Sequence, residues 1–285
     1  MTRYALLIEY DGTGFEGFQR QHRYGQPTRQ GSSCGRAWAR SVQEELEHKL
    51  SHLLNEDIRL TAAGRTDTGV HATAQVVTFP STRLRPIPEL VRGANALLDP
   101  RVRVRSAEVV AEDFNPRFEA ERRTYHYYFL PGHDYPDPFL GRLVWNFYQN
   151  VDLEAMARAA RGLVGSHDFA AYGRGLHEGD ITRRDMYRLE IHRCGQAIFA
   201  PGPFRRMEHL VCVEIQANAF LRRMARQIVA NLVLVGLGQW PEDEPARILR
   251  ERDSSSCAPP APAHGLYLVE VAYAGCNLPA LNHAP

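Results

Sequence analysis

The sequence predicts an α+β chain built on antiparallel sheet, and three features predict it. Residues 101–110 (RVRVRSAEVV) and 124–130 (TYHYYFL) alternate with the strand period of two. Apolar residues at helical spacing fall between such segments, so runs of strand and helix occur in both halves. The order of elements in the second half is similar to that in the first. No close sequence repeat is visible, yet this order predicts a duplicated fold.

The elements follow from local chemistry. Residues 4–10 (YALLIEY) read as a buried strand ending at the turn signal Asp11-Gly12. Residues 22–40 are rich in Arg, Gly, Gln and Ser, with no apolar period before Ala37-Trp38, and are expected to be mostly surface loop. Ser41-Val42-Gln43-Glu44 fits a capping box. It opens a helix with Val42, Leu46, Leu50, Leu53 and Leu54 on one face. Strands are expected over 58–62 and over 75–79, the second stopped by Pro80. Pro86-Ile87-Pro88 starts a helix through Leu90, Val91, Ala94 and Leu97 that ends before Pro100. The strands over 101–110 and 124–130 follow, then a loop over 131–140 with three Pro. A helix over 152–164 carries Leu153, Met156, Ala160 and Leu163. Strands over 186–192 and 208–216 are expected to form an antiparallel pair, followed by a helix over 218–236. Residues 250–263 turn polar and then Pro/Ala-rich, as a linker or loop does, and the last strand spans 265–273.

Bulk properties exclude several function classes. A length of 285 residues suits one large domain or two smaller ones, and 44% hydrophobic residues supply a sizeable core. No apolar run reaches the roughly 18 residues of a membrane span. The N-terminal MTRYALLIEYDG reads as a strand and not a signal peptide, so a cytoplasmic location is expected. A net charge of +1 does not announce a nucleic-acid binder. Lys49 is the only lysine, however, and the other basic residues are arginines, which offer bidentate phosphate contacts. Local Arg clusters therefore matter more than the total, and Arg20, Arg23, Arg29, Arg36 and Arg40 crowd the early segment. The five cysteines are odd in number and no pair is spaced CxxC, against a disulfide framework or a Cys-based zinc site. His48 and His52 share a helix face, but Lys49 follows His48 where a metalloprotease motif needs Glu. They are expected on the surface, with no structural metal.

Gly64-Arg65-Thr66-Asp67-Thr68-Gly69-Val70-His71-Ala72 is the stretch that carries chemistry. A plain turn or a helix N-cap accounts for Asp67 before Thr-Gly. An aspartic protease needs a second Asp-Thr-Gly or Asp-Ser-Gly to share a proton, and none is present. A glycosidase needs a partner carboxylate that nothing nominates, and a metal-dependent nuclease needs clustered acidic ligands. Beside the plain turn, which stays open, a further reading uses the surroundings: a lone carboxylate kept ionised by arginine is a competent nucleophile.

The motif resembles the signature of the tRNA pseudouridine synthase A family. Other blocks resemble that family in the right order over nearly the whole chain. They are Glu9-Tyr10-Asp11-Gly12 with Gly17-Phe18-Gln19-Arg20-Gln21, Ser41-Val42-Gln43 with Leu46, and Asn95-Ala96-Leu97-Leu98. Asp113-Phe114-Asn115-Pro116-Arg117-Phe118, Arg123-Thr124-Tyr125-His126-Tyr127, Phe220-Leu221-Arg222-Arg223-Met224-Ala225-Arg226 and Gly265-Leu266-Tyr267-Leu268 complete the set. Phe18 stands where the family usually has Trp, and the stretch between Gln21 and Ser41 is longer than its pattern.

The resemblance implies a pseudouridine synthase fold of two similar subdomains, here 1–113 and 114–285. Each has a mixed, mainly antiparallel sheet flanked by helices, with the active cleft between them. It implies isomerisation of uridine to pseudouridine at positions 38, 39 and 40 of the tRNA anticodon stem-loop, by a homodimer that uses no cofactor or metal. Asp67 matches the nucleophile, Arg226 its basic partner, Tyr125 the aromatic residue stacked on the uracil, and Leu266 an apolar neighbour, with Leu268 nearby on the same face. Arg65, Arg20 and Gln19 are expected at the substrate. By their own chemistry Tyr125 also reads as a core aromatic and Arg226 as an exposed snorkelling residue. Arg222 is expected one turn before Arg226 on the same helix face. His71 is expected to be structural. An RNA-binding protein that has lost the chemistry is the competing class, and the presence of Asp67, Tyr125 and Arg226 speaks against it.

Overall fold

The computed structural model describes residues 1–20, 41–132, 138–194 and 209–274. They divide into two compact units, one holding Met1–Phe118 and one beginning at Glu119. The expected loop over 22–40, with Arg23, Arg29, Arg36 and Arg40, lies outside the described residues, as does the middle of the expected loop over 131–140.

The first unit starts with β1 (Thr2–Tyr10), in which Tyr4 to Ile8 are all buried. Helix α1 (Val42–Leu54) begins at the expected capping box. Glu44 N–H donates to Ser41 Oγ, and Ser41 N–H donates back to the Glu44 carboxylate. Its apolar stripe buries Val42, Leu46 and Leu50 completely, each worth about 1.5–3 kcal/mol for its side chain. His48 and His52 lie on its exposed side. Then come β2 (Thr61–Ala62), β3 (His71–Ser81), α2 (Ile87–Leu97) and β4 (Val102–Val110). The sheet order is β4-β1-β3-β2, antiparallel throughout.

The second unit holds β5 (Ala120–Pro131), β6 (Trp145–Phe147), α3 (Leu153–Arg161), β7 (Gly165–Asp168) and β8 (Arg183–Arg193). It continues with β9 (Val211–Ala217), α4 (Met224–Gly236), α5 (Glu244–Glu251) and β10 (Leu266–Tyr273). Its order is β10-β5-β9-β8-β7, antiparallel, with β6 added parallel to β5. Without β6, β7 and α5, each unit is a βαββαβ winding with the same strand order. The α+β class and the duplicated element order expected from the sequence are both present.

Four expectations change at their edges. The strand over 58–62 shrinks to Thr61–Ala62, because Ile58 N–H donates to Ser51 Oγ and Leu60 N–H to Glu47 Oε1. Side chains there satisfy backbone that a strand would otherwise pair. The strand over 75–79 runs instead from His71 to Ser81 and passes through Pro80, which sits opposite Arg3 two residues beyond the last β2 contact at Thr78. A strand tolerates a missing donor there. The helix over 218–236 begins only at Met224. Arg223 adopts a left-handed φ of 65°, and Arg222 O accepts Arg174 N–H, so tertiary bonds claim the preceding turn. Arg222 therefore precedes α4 and does not share a helix face with Arg226. The expected linker over 250–263 opens with the last residues of α5, whose eight-residue length and Pro245 hid it from periodicity.

Candidate active site

Asp67 sits on the turn that joins β2 to β3, and that turn is held from both sides. Gln75 Nε2 donates to Gly64 O at 2.9 Å. The Tyr10 hydroxyl meets Thr66 Oγ1 at 2.8 Å in a buried contact, and Phe18 N–H donates to Thr66 O at 3.1 Å. Val70 N–H donates to Asp67 O at 3.1 Å, closing the turn itself. Beyond it, Gly12 N–H donates to His71 Nδ1 at 3.1 Å. Two glycines make this fit possible. A methyl group on Gly17, whose φ is 88°, would lie 2.8 Å from Thr66 O, and one on Gly12 would lie 2.1 Å from Val70 O. Only bare backbone can approach this closely.

The Asp67 side chain is half-buried, Arg65 is exposed, and Thr66 between them is buried. Gln19 and Arg20 follow directly on Phe18. Gln19 Oε1 is buried without a hydrogen-bond partner among the described residues. Arg20 is exposed; its backbone N–H donates to Gln43 Oε1 at 3.2 Å and its Nε lies 3.9 Å from Glu44 Oε1. Arg65, Asp67, Gln19 and Arg20 thus belong to two adjoining loops of the first unit.

In the second unit Tyr125 is 8% exposed, on β5 between Ile215 of β9 and Leu268 of β10. The Phe220 ring meets it edge-on at 4.8 Å. Leu268 stands directly opposite Tyr125, while Leu266 stands opposite Tyr127, and both leucines are buried. Tyr127 is a fully buried core residue whose hydroxyl donates to Pro262 O at 2.8 Å. Burial pushes its phenol upward, against the opposing pull of the Arg226 charge. Burial likewise lowers the His264 imidazole, and the Arg226 charge adds to that shift.

Arg226 is half-buried in the first turn of α4. Its Nε donates to Ala261 O at 2.6 Å, and Ala261 N–H donates back to Arg226 O at 3.1 Å. Next along the helix, the fully buried Gln227 and Asn231 grip Ala258, Gln227 Nε2 at its carbonyl and Asn231 Oδ1 at its N–H. The irregular segment before β10 is thereby tied to α4, which fixes where Leu266 and Leu268 enter the sheet. Sequence reasoning missed Tyr10, Phe220, Gln227 and Asn231. Tyr10, Phe220 and Gln227 lie in or beside the quoted blocks, but pattern alone does not reveal which backbone groups they hold.

Among the described residues no cluster of three or more His, Cys, Asp or Glu side chains could hold a metal, and no helix is long and apolar enough to cross a membrane. Cys194, Cys212 and Cys257 are free.

The family model described as tRNA pseudouridine synthase matches residues 6–119 and 159–274. A tRNA pseudouridine synthase A of Thermotoga petrophila is 39% identical over 274 residues, covering 96% of this chain and 100% of the relative. The enzyme of that name from Nitrosomonas eutropha is 39% identical over 98% of this chain and 90% of its own length. That from Shewanella amazonensis is 38% identical over 99% and 98%. With its two α+β units and the signature turn around Asp67, the chain belongs to the tRNA pseudouridine synthase family and is an isomerase that makes pseudouridine in tRNA.

Proposed function

We propose that the chain modifies uridines 38, 39 and 40 of the tRNA anticodon stem-loop, with Asp67 as nucleophile on a flipped-out uridine. The observation that carries the assignment of Asp67 is the held turn: a half-buried carboxylate on backbone fixed at Gly64, Thr66 and Val70. A nucleophile needs that fixity, because misplacement of about 1 Å can cost roughly 100-fold in rate. The target positions rest on the family resemblance of the sequence blocks.

Asp67 attacks either C1′ of the ribose or C6 of the uracil. On either route the bond from C1′ to N1 breaks, the uracil turns, and C5 bonds to C1′ as the carboxylate departs. N1 gains one proton and C5 loses one, so the net change is an isomerisation with no co-reactant. Arg226 has the role of basic partner to the carboxylate, as the family resemblance implies. Tyr125 offers its ring to the extruded base, replacing stacking lost from the RNA, with Leu266 as an apolar neighbour. Arg65 and Arg20, both exposed, are phosphate contacts. Gln19 Oε1, buried without a donor among the described residues, is an acceptor for a nucleotide N–H or 2′-hydroxyl. The working form is a cytoplasmic homodimer in which one tRNA touches both subunits.

Tritium release tests the reading. Forming the C5 bond expels the C5 hydrogen, so tRNA carrying 5-tritiated uridine reports the isomerisation itself. Wild type releases tritium, and Asp67→Ala loses activity by roughly 1000-fold or more while still binding tRNA. Substrates with uridine retained only at 38, 39 or 40 check the positions. Full activity of Asp67→Ala would remove the nucleophile assignment.

A further inference from the structure

We propose that Tyr10 and His71 are positioning residues that set the place of the Asp67 carboxylate. The inference rests on Asp67 as nucleophile and adds to it the device that aims it. Tyr10 is the last residue of β1 and His71 the first of β3, and the two strands pair there, Tyr10 standing opposite Ala72. Both side chains therefore project from a paired strand end, just past a register shift in β1. They grip the turn on opposite sides of Asp67.

On the near side the Tyr10 hydroxyl meets Thr66 Oγ1 at 2.8 Å, one residue before the carboxylate, in a buried contact. Thr66 is 7% exposed, so water cannot readily replace a lost partner. On the far side His71, 1% exposed, uses Nδ1 to accept Gly12 N–H at 3.1 Å. Asp11 Oδ1 lies 3.2 Å from the same nitrogen but takes the Thr13 N–H at 2.9 Å. Accepting the Gly12 N–H leaves Nδ1 without a proton in that contact. That bond draws the Gly12 backbone against Val70 O, where no Cβ would fit. Val70 N–H in turn closes on Asp67 O. His71 thus acts on Asp67 through Gly12 and Val70, and Tyr10 acts through Thr66. A carboxylate aimed at one carbon of a flipped nucleotide depends on both.

The experiment compares Tyr10→Phe, His71→Asn and His71→Leu with wild type and Asp67→Ala, measuring tritium release under single-turnover conditions and tRNA binding separately. Asn places Oδ1 near the position of Nδ1 and can accept the Gly12 N–H, whereas Leu cannot. The expected result is a roughly 10- to 100-fold loss of kcat for Tyr10→Phe and His71→Leu, with tRNA affinity unchanged. His71→Asn should recover most of the rate. Wild-type rates in both Tyr10→Phe and His71→Leu overturn the proposal. So does a pattern in which tRNA affinity falls and kcat holds. Equal inactivity of His71→Asn and His71→Leu also overturns it, because a proton-transferring histidine would then be indicated. Tyr10→Phe keeps the ring and serves as the folded control should His71→Leu fail to fold. If Asp67→Ala turns out active, the nucleophile reading fails instead, and that result is distinct from all of these.

Discussion

The two units wind the same βαββαβ path with the same strand order, yet they hold their candidate residues by different means. In the first unit the carboxylate rides on an irregular turn: Gln75 and the Phe18 amide hold its backbone, Tyr10 holds the Thr66 side chain, and the Gly12 amide bonds His71 just beyond it. In the second unit Tyr125 and Leu266 sit on regular strands, and packing against Phe220, Ile215 and Leu268 holds the ring. On the proposed roles, the difference follows from what each group would have to do. An aromatic platform is defined by a plane, which a strand supplies. A nucleophile must be placed at a point, and it needs a turn that brings an oxygen forward without strand neighbours in the way. Duplicated topology therefore does not lead to duplicated chemistry.

The sharpest way to break this comparison is at Gly17. Gly17→Ala forces a side chain into left-handed backbone against Thr66 O, and should cost about 1–3 kcal/mol of stability. Urea unfolding should record that loss, and tritium release should fall further than stability alone explains. An unaffected rate would mean the turn does not rely on its backing loop. The matching change in the second unit is Asn231→Ala, which leaves the Ala258 N–H buried without its acceptor. It should cost about 1–3 kcal/mol in urea unfolding. Because packing, not this bond, holds Tyr125, kcat should drop less than in Gly17→Ala.

The smallest effect is electrostatic. Asp99 accepts the Arg101 guanidinium through both oxygens, at 2.9 and 2.8 Å, which holds its carboxyl down at about 2. The folded value lies below the ordinary 3.8, so the pair stabilises the fold above about pH 4, and that contribution is lost as pH falls toward 2. Asp99→Asn should lower the thermal midpoint slightly near neutrality, where the pair contributes, and its profile should converge with that of wild type as pH falls toward 2. The magnitude should be small, because the pair is largely solvated.

Much of this molecule was legible in the sequence where a pattern is local. The capping box at Ser41, the amphipathic stripe of α1 and the alternation in β4 and β5 each depend on neighbours in the chain, and they appear where expected. What escaped depends on partners far away in sequence. Strand β7 (GSHD) has no strand-like composition and exists because it pairs with β8. The start of α4 moved because Arg174 and Arg223 decide it, not the apolar period. In the site, the residues quoted for Asp67, Tyr125 and Arg226 were visible as family blocks. The Tyr10–Thr66 bond, spanning 56 positions, could not be read from spacing.

The segment from Cys257 to Pro262 carries a further consequence. Its composition, CAPPAP, is that of a spacer where an engineer would place a tag, a circular-permutation break or an inserted reporter domain. Here it is stitched to α4 at Ala258 and Ala261 by two buried amides and an arginine. A cut there would release the entry of β10, the strand that lies beside Tyr125. Anyone remodelling the protein should treat these six residues as part of the core despite their lack of regular structure, and look elsewhere for a place to open the chain.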